Sequence, residues 1–217
     1  MVEYYIDNYN LKQYGVSVSA SIGLLSRPKT KSIDVKSWAD YHGEVTDLRN
    51  KYYEPRDIQL ECFIEASNKA DFLLKCNAFL SLFDAKKTRR LTVSIDGSEP
   101  LQFEVYLSAE VDIKKKWSEG QMIGTFTLKL KEPEPVKRVI KYTRTGEGDK
   151  TVSITLTSRK LLNVYWGDGS HTFDVSGAAQ TITHSYATNG TFYIVVTGCI
   201  DEIDSLTTTG AVVWNKL

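Results

Sequence analysis

The sequence predicts a mainly β protein with two β-rich domains and one α-helix. Apolar and polar residues alternate through most of the chain, which is the pattern of strands that bury one face. Only residues 67–85 space their apolar side chains as a helix does. Alternating Glu and Pro at 131–135 divide the 217 residues into predicted domains 1–135 and 136–217.

Charge and composition exclude several classes of protein. The chain has 27 Lys and Arg against 27 Asp and Glu, so it lacks the positive field that holds nucleic acid or an anionic membrane. No apolar run reaches the ~18 residues of a membrane span, and residues 1–7 are not typical of a secretory signal. The three cysteines, Cys62, Cys76 and Cys199, are widely separated and predict reduced, mostly buried thiols. We expect no membrane insertion and no recognition of nucleic-acid sequence.

Strands of the first domain are predicted from the alternation. The alternating segments are 16–22, 58–64, 91–95, 101–113 and 121–130. Asp96-Gly97 predicts a hairpin after the third segment, because glycine accepts the positive φ of a tight turn. The fourth segment is the longest, and it predicts a strand or a bent pair of strands with its apolar residues on one face.

The predicted helix covers residues 67–85 and lies on the sheet. Its apolar face is formed by Leu73, Cys76, Leu80 and Phe83, widened by Phe72 and Phe79. Ser67 or Asn68 is expected to cap the first amides. Lys86 and Lys87 are expected to interact favourably with the carboxyl end of the helix dipole.

Two charged segments are predicted to be connections. Residues 86–90, Lys-Lys-Thr-Arg-Arg, could form a nucleic-acid patch, but the zero net charge favours a helix end followed by a solvated turn. Residues 131–135, Lys-Glu-Pro-Glu-Pro, cannot continue a strand ladder and favour stiff, extended backbone. Beyond them, alternation at 152–156, 162–166 and 192–196 predicts a second β-rich domain without a helix.

No pattern of residues predicts catalysis. The chain lacks the serine nucleophile elbow, the zinc-protease motif and the glycine-rich phosphate loops. One conceivable metal set is Asp168, His171, Asp174 and His184. Its spacing matches no zinc site and no cysteine is near. The carboxylates of Asp201, Glu202 and Asp204 lack the cleft of a glycosidase. We expect no enzymatic activity, no catalytic residue, no metal and no cofactor.

Aromatic residues point to recognition or assembly. They make up 11% of the chain, and Tyr4, Tyr5, Tyr9 and Tyr14 cluster near the amino terminus. Tyrosine combines an apolar ring with a polar hydroxyl, which suits contacts with proteins and sugars. A sheet face that favours tyrosine for packing alone is the open alternative.

The second domain carries a motif in three parts. Trp166-Gly167-Asp168-Gly169 is followed by His184 and Tyr186, and then by Asn189-Gly190 and a hydrophobic strand. This order resembles the PKD domain, an immunoglobulin-like β-sandwich in which these residues define the fold. The resemblance implies a tight turn at 167–169, a hairpin turn at Asn189-Gly190, and a Tyr186 side chain that ties a strand end to the backbone. The sequence departs from the pattern after Val196, which leaves the pairing of the last strand open.

Segments across the first domain follow a second recognisable order. They are residues 14–16, 23–29, Trp38-Ala39-Asp40, Gly43, Asp47-Leu48 and 53–60, followed by the helix and a hairpin. This order resembles the amino-terminal domain of distal tail proteins from long-tailed phages and prophages, over nearly all of residues 1–135. The resemblance implies a structural protein of the virion tail, made in the bacterial cytoplasm.

The resemblance also implies how the protein would assemble. Distal tail proteins close head to tail into a ring, a hexamer, at the end of the tail tube and connect it to the baseplate and host-recognition apparatus. The second domain would bind other baseplate proteins or host-surface glycans. Two alternatives stay open: a bacterial surface or secreted module that binds glycan or protein, and a tail-tube subunit that stacks into long tubes. No partner-binding residue is assigned.

Overall fold

The computed structural model describes residues 2–31, 35–46, 51–118 and 120–217. The N-terminal region, residues 2–132, contains β1 Val2–Ile6, β2 Tyr9–Asn10, β3 Val16–Ile22, β4 Val35–Lys36, β5 Val45–Thr46, β6 Arg56–Ala66, α1 Lys69–Ser81, β7 Arg89–Ile95, β8 Leu101–Leu107, β9 Lys114–Ser118 and β10 Gln121–Glu132. The C-terminal region, residues 137–217, contains β11 Lys137–Arg144, β12 Thr151–Tyr165, β13 His171–Ser185, β14 Gly190–Gly198, β15 Ile203–Thr208 and β16 Ala211–Trp214. The Asp47-Leu48 segment singled out in the sequence lies outside the described residues.

The N-terminal region is built on an eight-stranded antiparallel sheet. Its order is β2-β1-β7-β8-β10-β6-β3, with β9 also paired to β10, while β4 and β5 form a separate two-stranded sheet. The sheet has two halves, β2-β1-β7-β8 and β10-β6-β3. They are joined where β8 pairs with β10, through the residue pairs Leu130–Leu107 and Lys131–Tyr106. Both halves and α1 contribute side chains to one core. The predicted mainly β fold, with β-sandwich architecture and an α-helix, is confirmed.

Helix α1 is shorter than the predicted 67–85. The Asn68 side chain caps it by accepting a hydrogen bond from the Asp71 amide at 2.9 Å. Phe72, Cys76 and Phe79 form its buried face, at the spacing of successive turns. Leu73 was predicted to lie on that face, but it is 57% exposed because the helix presents the neighbouring position to the sheet. None of the helices in the described residues has the length and apolar character needed to cross a membrane.

Gly124 in β10 allows the helix to approach the sheet closely. A Cβ atom there would lie 2.7 Å from both Phe72 Cζ and Ile113 Cγ2. The predicted strand 101–113 leaves the ladder at Leu107, yet Val111 and Ile113 still pack against the core. The alternation therefore reported which side chains face inward even where the strand had ended.

The C-terminal region contains a six-stranded sheet that folds on itself. Its order is β13-β12-β14-β11-β16, with β15 also paired to β12. The first half of β12 pairs with β15 and the second half with β14, on either side of a register shift between Ser158 and Leu162. A strand that passes between layers at such an irregularity produces a sandwich corner. Residues from both halves of β12 share one core.

The structure corrects one predicted turn of the C-terminal region and defines the pairing of its last strands. The hairpin predicted at Asn189-Gly190 is wrong, because β13 pairs with β12 and β14 pairs with β11 and β12, so the connection joins strands that are not neighbours. The turn at Ile200–Glu202 buries Ile200 and leads into β15. The sequence left the strand pairing after Val196 open. In the structure β15 pairs with β12, and β16 pairs with β11.

Candidate functional site: the junction of the two regions

The aromatic residues of the C-terminal motif lie together at one end of the second sheet. Trp166 is 1% exposed and Tyr186 is 2% exposed. The Tyr186 hydroxyl donates to the Trp166 carbonyl at 2.8 Å, and Trp166 Nε1 donates to Thr172 Oγ1 at 3.0 Å. The His184 ring stacks on the Trp166 ring, with centroids 5.0 Å apart. These contacts join the ends of β12 and β13.

Asp168 is the charged centre of the turn that follows Trp166. Gly167 and Gly169, on either side of it, have φ values of 92° and 89°. The Asp168 carboxylate accepts hydrogen bonds from Ser170 and lies 2.7 Å from His184 Nε2. Burial raises the pKa of Asp168, but the hydrogen bonds from Ser170 and His184 outweigh this effect and hold the pKa below its usual range. The turn is thereby fixed by an ionised carboxylate.

Ser170, His184 and Asp168 do not have the geometry of a hydrolase triad. Ser170 Oγ lies 3.3 Å from His184 Nε2, the same nitrogen that contacts Asp168. A triad needs the serine on one imidazole nitrogen and the carboxylate on the other, so that a proton moves onto an oriented ring. This cluster can hold a turn in place, and it offers no relay for a proton.

The residues considered as a metal set are dispersed. Asp168 and His184 touch each other, His171 stacks on Phe173, and the Asp174 amide donates to Asn163. Within the described ranges, no group of three or more His, Cys, Asp or Glu is placed to hold a metal ion. Of the predicted acidic cluster, Asp201 pairs with Lys216 at 2.7 Å.

The basic run at 86–90 contacts the C-terminal region. Arg90 is 7% exposed, pairs with Glu104, and donates to the Tyr193 carbonyl at 2.6 Å. Lys87 Nζ donates to the Gly169 carbonyl at 3.1 Å. The prediction of a solvated turn is therefore wrong at Arg90, which is buried in β7, whereas Lys87 is exposed in the turn as predicted. Helix α1 also ends too early for Lys86 or Lys87 to reach its last turn.

Residues 131–135 anchor the two regions to each other. Glu132 ends β10, and its carboxylate pairs with Lys137 at the start of β11; both side chains are at most 1% exposed. Lys137 Nζ lies 4.1 Å from the centroid of the Phe103 ring, and Arg56 Nε lies 3.4 Å from Glu132 Oε2. Glu134 accepts hydrogen bonds from Asn163 and Thr197 across the junction. The position of the domain boundary stays a prediction, but the segment is not a free spacer.

Burial determines the electrostatics of this pair. It raises the pKa of Glu132 and lowers that of Lys137 to about 8, although the ion pair with each other opposes both shifts. Desolvated charges of this kind are costly to separate from their partners. The Glu132–Lys137 pair therefore favours one fixed arrangement of the two sheets.

Sequence reasoning missed Arg56, Glu104, Glu132 and Lys137 as junction residues. Their positions did carry a signal, because Arg56 and Glu132 each continue the inward-facing register of an apolar strand. A charged residue in that register implies a buried partner. The residues that Arg56 contacts could not be deduced from a local pattern, since it donates to the Pro135 carbonyl across 79 positions of the chain.

The fold and its junction define a mainly β protein in which the conspicuous polar clusters serve structure. Residues 9–131 match the family described as phage tail protein RIFT-related domain, which is more than half of the chain. The protein thus belongs to this family of phage tail proteins.

Two solved structures are similar to the chain. The Dit (gp 19.1) protein of phage SPP1, called a paradigm of the hub adsorption apparatus in phages that infect Gram-positive bacteria, has a TM-score of 0.48 and 12% identity, over 91% of this chain and 79% of that one. A chain of the phage p2 baseplate in its activated conformation with Sr has a TM-score of 0.47 and 9% identity, over 92% and 99%. No curated protein matches.

Proposed function

We propose that this phage tail protein is a distal tail protein. Its N-terminal region would close with further copies into a ring at the end of the tail tube, and its C-terminal region would be a PKD-like module that meets the baseplate or the host surface. The observation that carries this proposal is the family match over residues 9–131, which runs from β2 into β10. The matched part includes the exposed edge of the large sheet at β3.

Strand β3 is suited to pair with another subunit. Within the described residues it pairs with β6 alone, so its other edge has free backbone groups. Its sequence, VSVSASI, contains no charge and no proline. By contrast, β9 is exposed throughout and carries Lys114, Lys115 and Lys116, the kind of residues that protect an edge from pairing. The contrast favours β3 as the edge that a neighbouring copy extends.

The small sheet formed by β4 and β5 offers a second, different contact surface. Trp38 and Tyr41, between its strands, are 50% and 55% exposed. A two-stranded sheet is marginally stable alone, and exposed aromatic side chains often mark an interface. A head-to-tail ring needs two different surfaces on each copy. The open edge of β3 would supply one surface, and the small sheet formed by β4 and β5 would supply the other.

The C-terminal region would be carried rigidly by such a ring. The buried Glu132–Lys137 pair and the bond from Arg90 to Tyr193 fix it to the N-terminal region. The cluster of Trp166, His184 and Tyr186 supports a PKD-like module, since the motif residues contact one another as core and turn.

Light scattering behind size exclusion, over a concentration series, tests the ring. We expect a discrete closed oligomer of about six copies. Ser21→Lys, on the exposed end of β3, should shift it to monomer by charging the open edge. Thr125→Lys is the matched control, because Thr125 is also exposed but lies in β10, which is paired on both sides.

Three outcomes would contradict the proposal. Polymers that lengthen with concentration would favour a tail-tube subunit. A strict monomer that also fails to bind purified tail tubes would favour a surface binding module. Equal effects of Ser21→Lys and Thr125→Lys would remove β3 from the interface.

A further inference from the structure

A cleft separates the two regions beside residues 167–173, which form the turn after β12 and the start of β13. Its volume is about 450 Å³, within the range of ~300–1,000 Å³ typical of small-molecule sites. Asn8, Tyr9 and Lys86 belong to its N-terminal wall, and His171 and Phe173 to its C-terminal wall. The hydrogen bond from Lys87 Nζ to the Gly169 carbonyl joins the two walls, so the cleft is closed off at that point. A compact ligand, or a short segment of a longer one, fits a site of this size.

Exposed aromatic rings line both walls. Phe173 is 49% exposed and stacks on His171, with ring centroids 4.1 Å apart. Tyr165 supports Phe173 edge-on at 5.7 Å. Tyr9, on the opposite wall, is 53% exposed. Apolar rings left open in a concave surface indicate a ligand with a flat apolar face.

The carboxylates of the cleft are held by partners within the protein. Asp7 pairs with Arg89 and Glu104 pairs with Arg90, while Asp168 accepts hydrogen bonds from Ser170 and contacts His184. The Lys86 ammonium is exposed and has no hydrogen bond or ion pair in the part of the chain that the structure describes. The side chains of Asn8 and Tyr9 likewise have no partner among the described residues. Lys87, the second lysine of the cleft, is held by the Gly169 carbonyl, so Asn8, Tyr9 and the Lys86 ammonium are the groups left for a ligand.

We propose that this cleft binds an acidic saccharide of the bacterial surface. The C–H face of a sugar ring would stack on Phe173, its hydroxyls would meet Asn8 and Tyr9, and its carboxylate or phosphate substituent would lie near Lys86. A polyanion such as nucleic acid needs many free cations, and the described lining of the cleft offers two lysines, one of which is held by a carbonyl. The inference rests on the proposed function for the origin of the saccharide, which is the host surface that a tail protein meets.

Binding of the full chain to three polysaccharides tests the site. The probes are dextran phosphate, oligogalacturonate and neutral dextran, and binding is followed by isothermal titration calorimetry. We expect the phosphate or the carboxylate polymer to bind and dextran to bind less tightly. Phe173→Ala should weaken binding about tenfold, and Lys86→Ala should remove both the preference over dextran and the dependence on salt.

Leu161→Ala is the matched control for these variants. Leu161 is 57% exposed in the C-terminal region and does not line the cleft, so binding should be unchanged. Absence of binding by all three polymers at millimolar sugar, or binding that Phe173→Ala leaves intact, would overturn the inference. Loss of binding in Leu161→Ala as well would show that the contact is nonspecific and would overturn it too.

The inference and the proposed function can fail separately. Phe173 and Lys86 lie away from β3, so their variants should keep the oligomeric state of the unaltered chain in light scattering. A ring without saccharide binding would overturn this inference alone. Saccharide binding by a chain that never assembles would support the site and contradict the ring.

Discussion

The two regions close their cores by different means. In the N-terminal region an apolar helix face packs on the sheet, and Gly124 leaves room there for Phe72 and Ile113. In the C-terminal region the sandwich end is closed by rings that also form hydrogen bonds, with Tyr186 bound to the Trp166 carbonyl. Apolar packing tolerates many sequences, whereas a hydrogen-bonded cluster needs particular residues. This explains why the C-terminal region has a compact sequence motif and the N-terminal region shows only an order of segments.

The junction between the regions follows neither scheme. It places the side chains of Glu132, Lys137 and Arg56 at most 6% exposed, and both cations lie against the Phe103 ring. Two cations thus share one carboxylate. Substitutions at the junction should have the largest effect on unfolding, because the junction decides whether the two regions unfold together.

Glu132→Ala should have the largest effect. It leaves Lys137 and Arg56 buried without their carboxylate, and we expect the free energy of unfolding to fall by ~3–5 kcal/mol. Urea unfolding of the full chain, followed by tryptophan fluorescence, measures the loss. The single unfolding transition should also separate into one for each region.

Lys137→Met provides the control for charge. It leaves Arg56 paired with Glu132, so its cost should be clearly smaller than that of Glu132→Ala. Adding Lys137→Met to Glu132→Ala should recover part of the loss. A cost of Lys137→Met equal to that of Glu132→Ala would show that the contact with Phe103 matters more than the charge balance.

The limits of prediction from sequence follow the same division. The inward register of β6 and β10, and the existence of α1, could be deduced because side-chain periodicity is local. The face of α1 was assigned wrongly at Leu73, because its orientation depends on where Gly124 admits a side chain. The junction and the cleft depend on residues far apart along the chain, such as Lys87 and Gly169, whose meeting no local pattern specifies.

Gly124→Ala tests the close approach in the N-terminal region. The added Cβ would lie 2.7 Å from Phe72 and Ile113, so the helix or the 108–113 loop must shift. We expect a loss of ~1–3 kcal/mol in unfolding free energy. Hydrogen exchange should rise in α1 and β10, with little change in β12 to β14.

Gly148→Ala is the control for this substitution. Gly148 lies in the C-terminal region, and a Cβ atom there meets nothing within 4 Å. Its effect should stay within ~0.5 kcal/mol. A similar cost for both glycines would mean that helix packing at Gly124 is not the cause.

Tyr186→Phe sharpens the comparison on the C-terminal side, with the smallest expected effect. It keeps the stacked ring, 3.7 Å from the centroid of Phe192, and removes only the hydroxyl that donates to Trp166. We expect a loss of ~1 kcal/mol, because the buried carbonyl loses this donor. Hydrogen exchange should rise in β12 and β13 rather than in α1. Tyr41→Phe, at a tyrosine that is 55% exposed, should change nothing measurable. Equal stability of Tyr186→Phe and the unaltered chain would show that ring packing alone closes this sandwich, as apolar packing does in the N-terminal region.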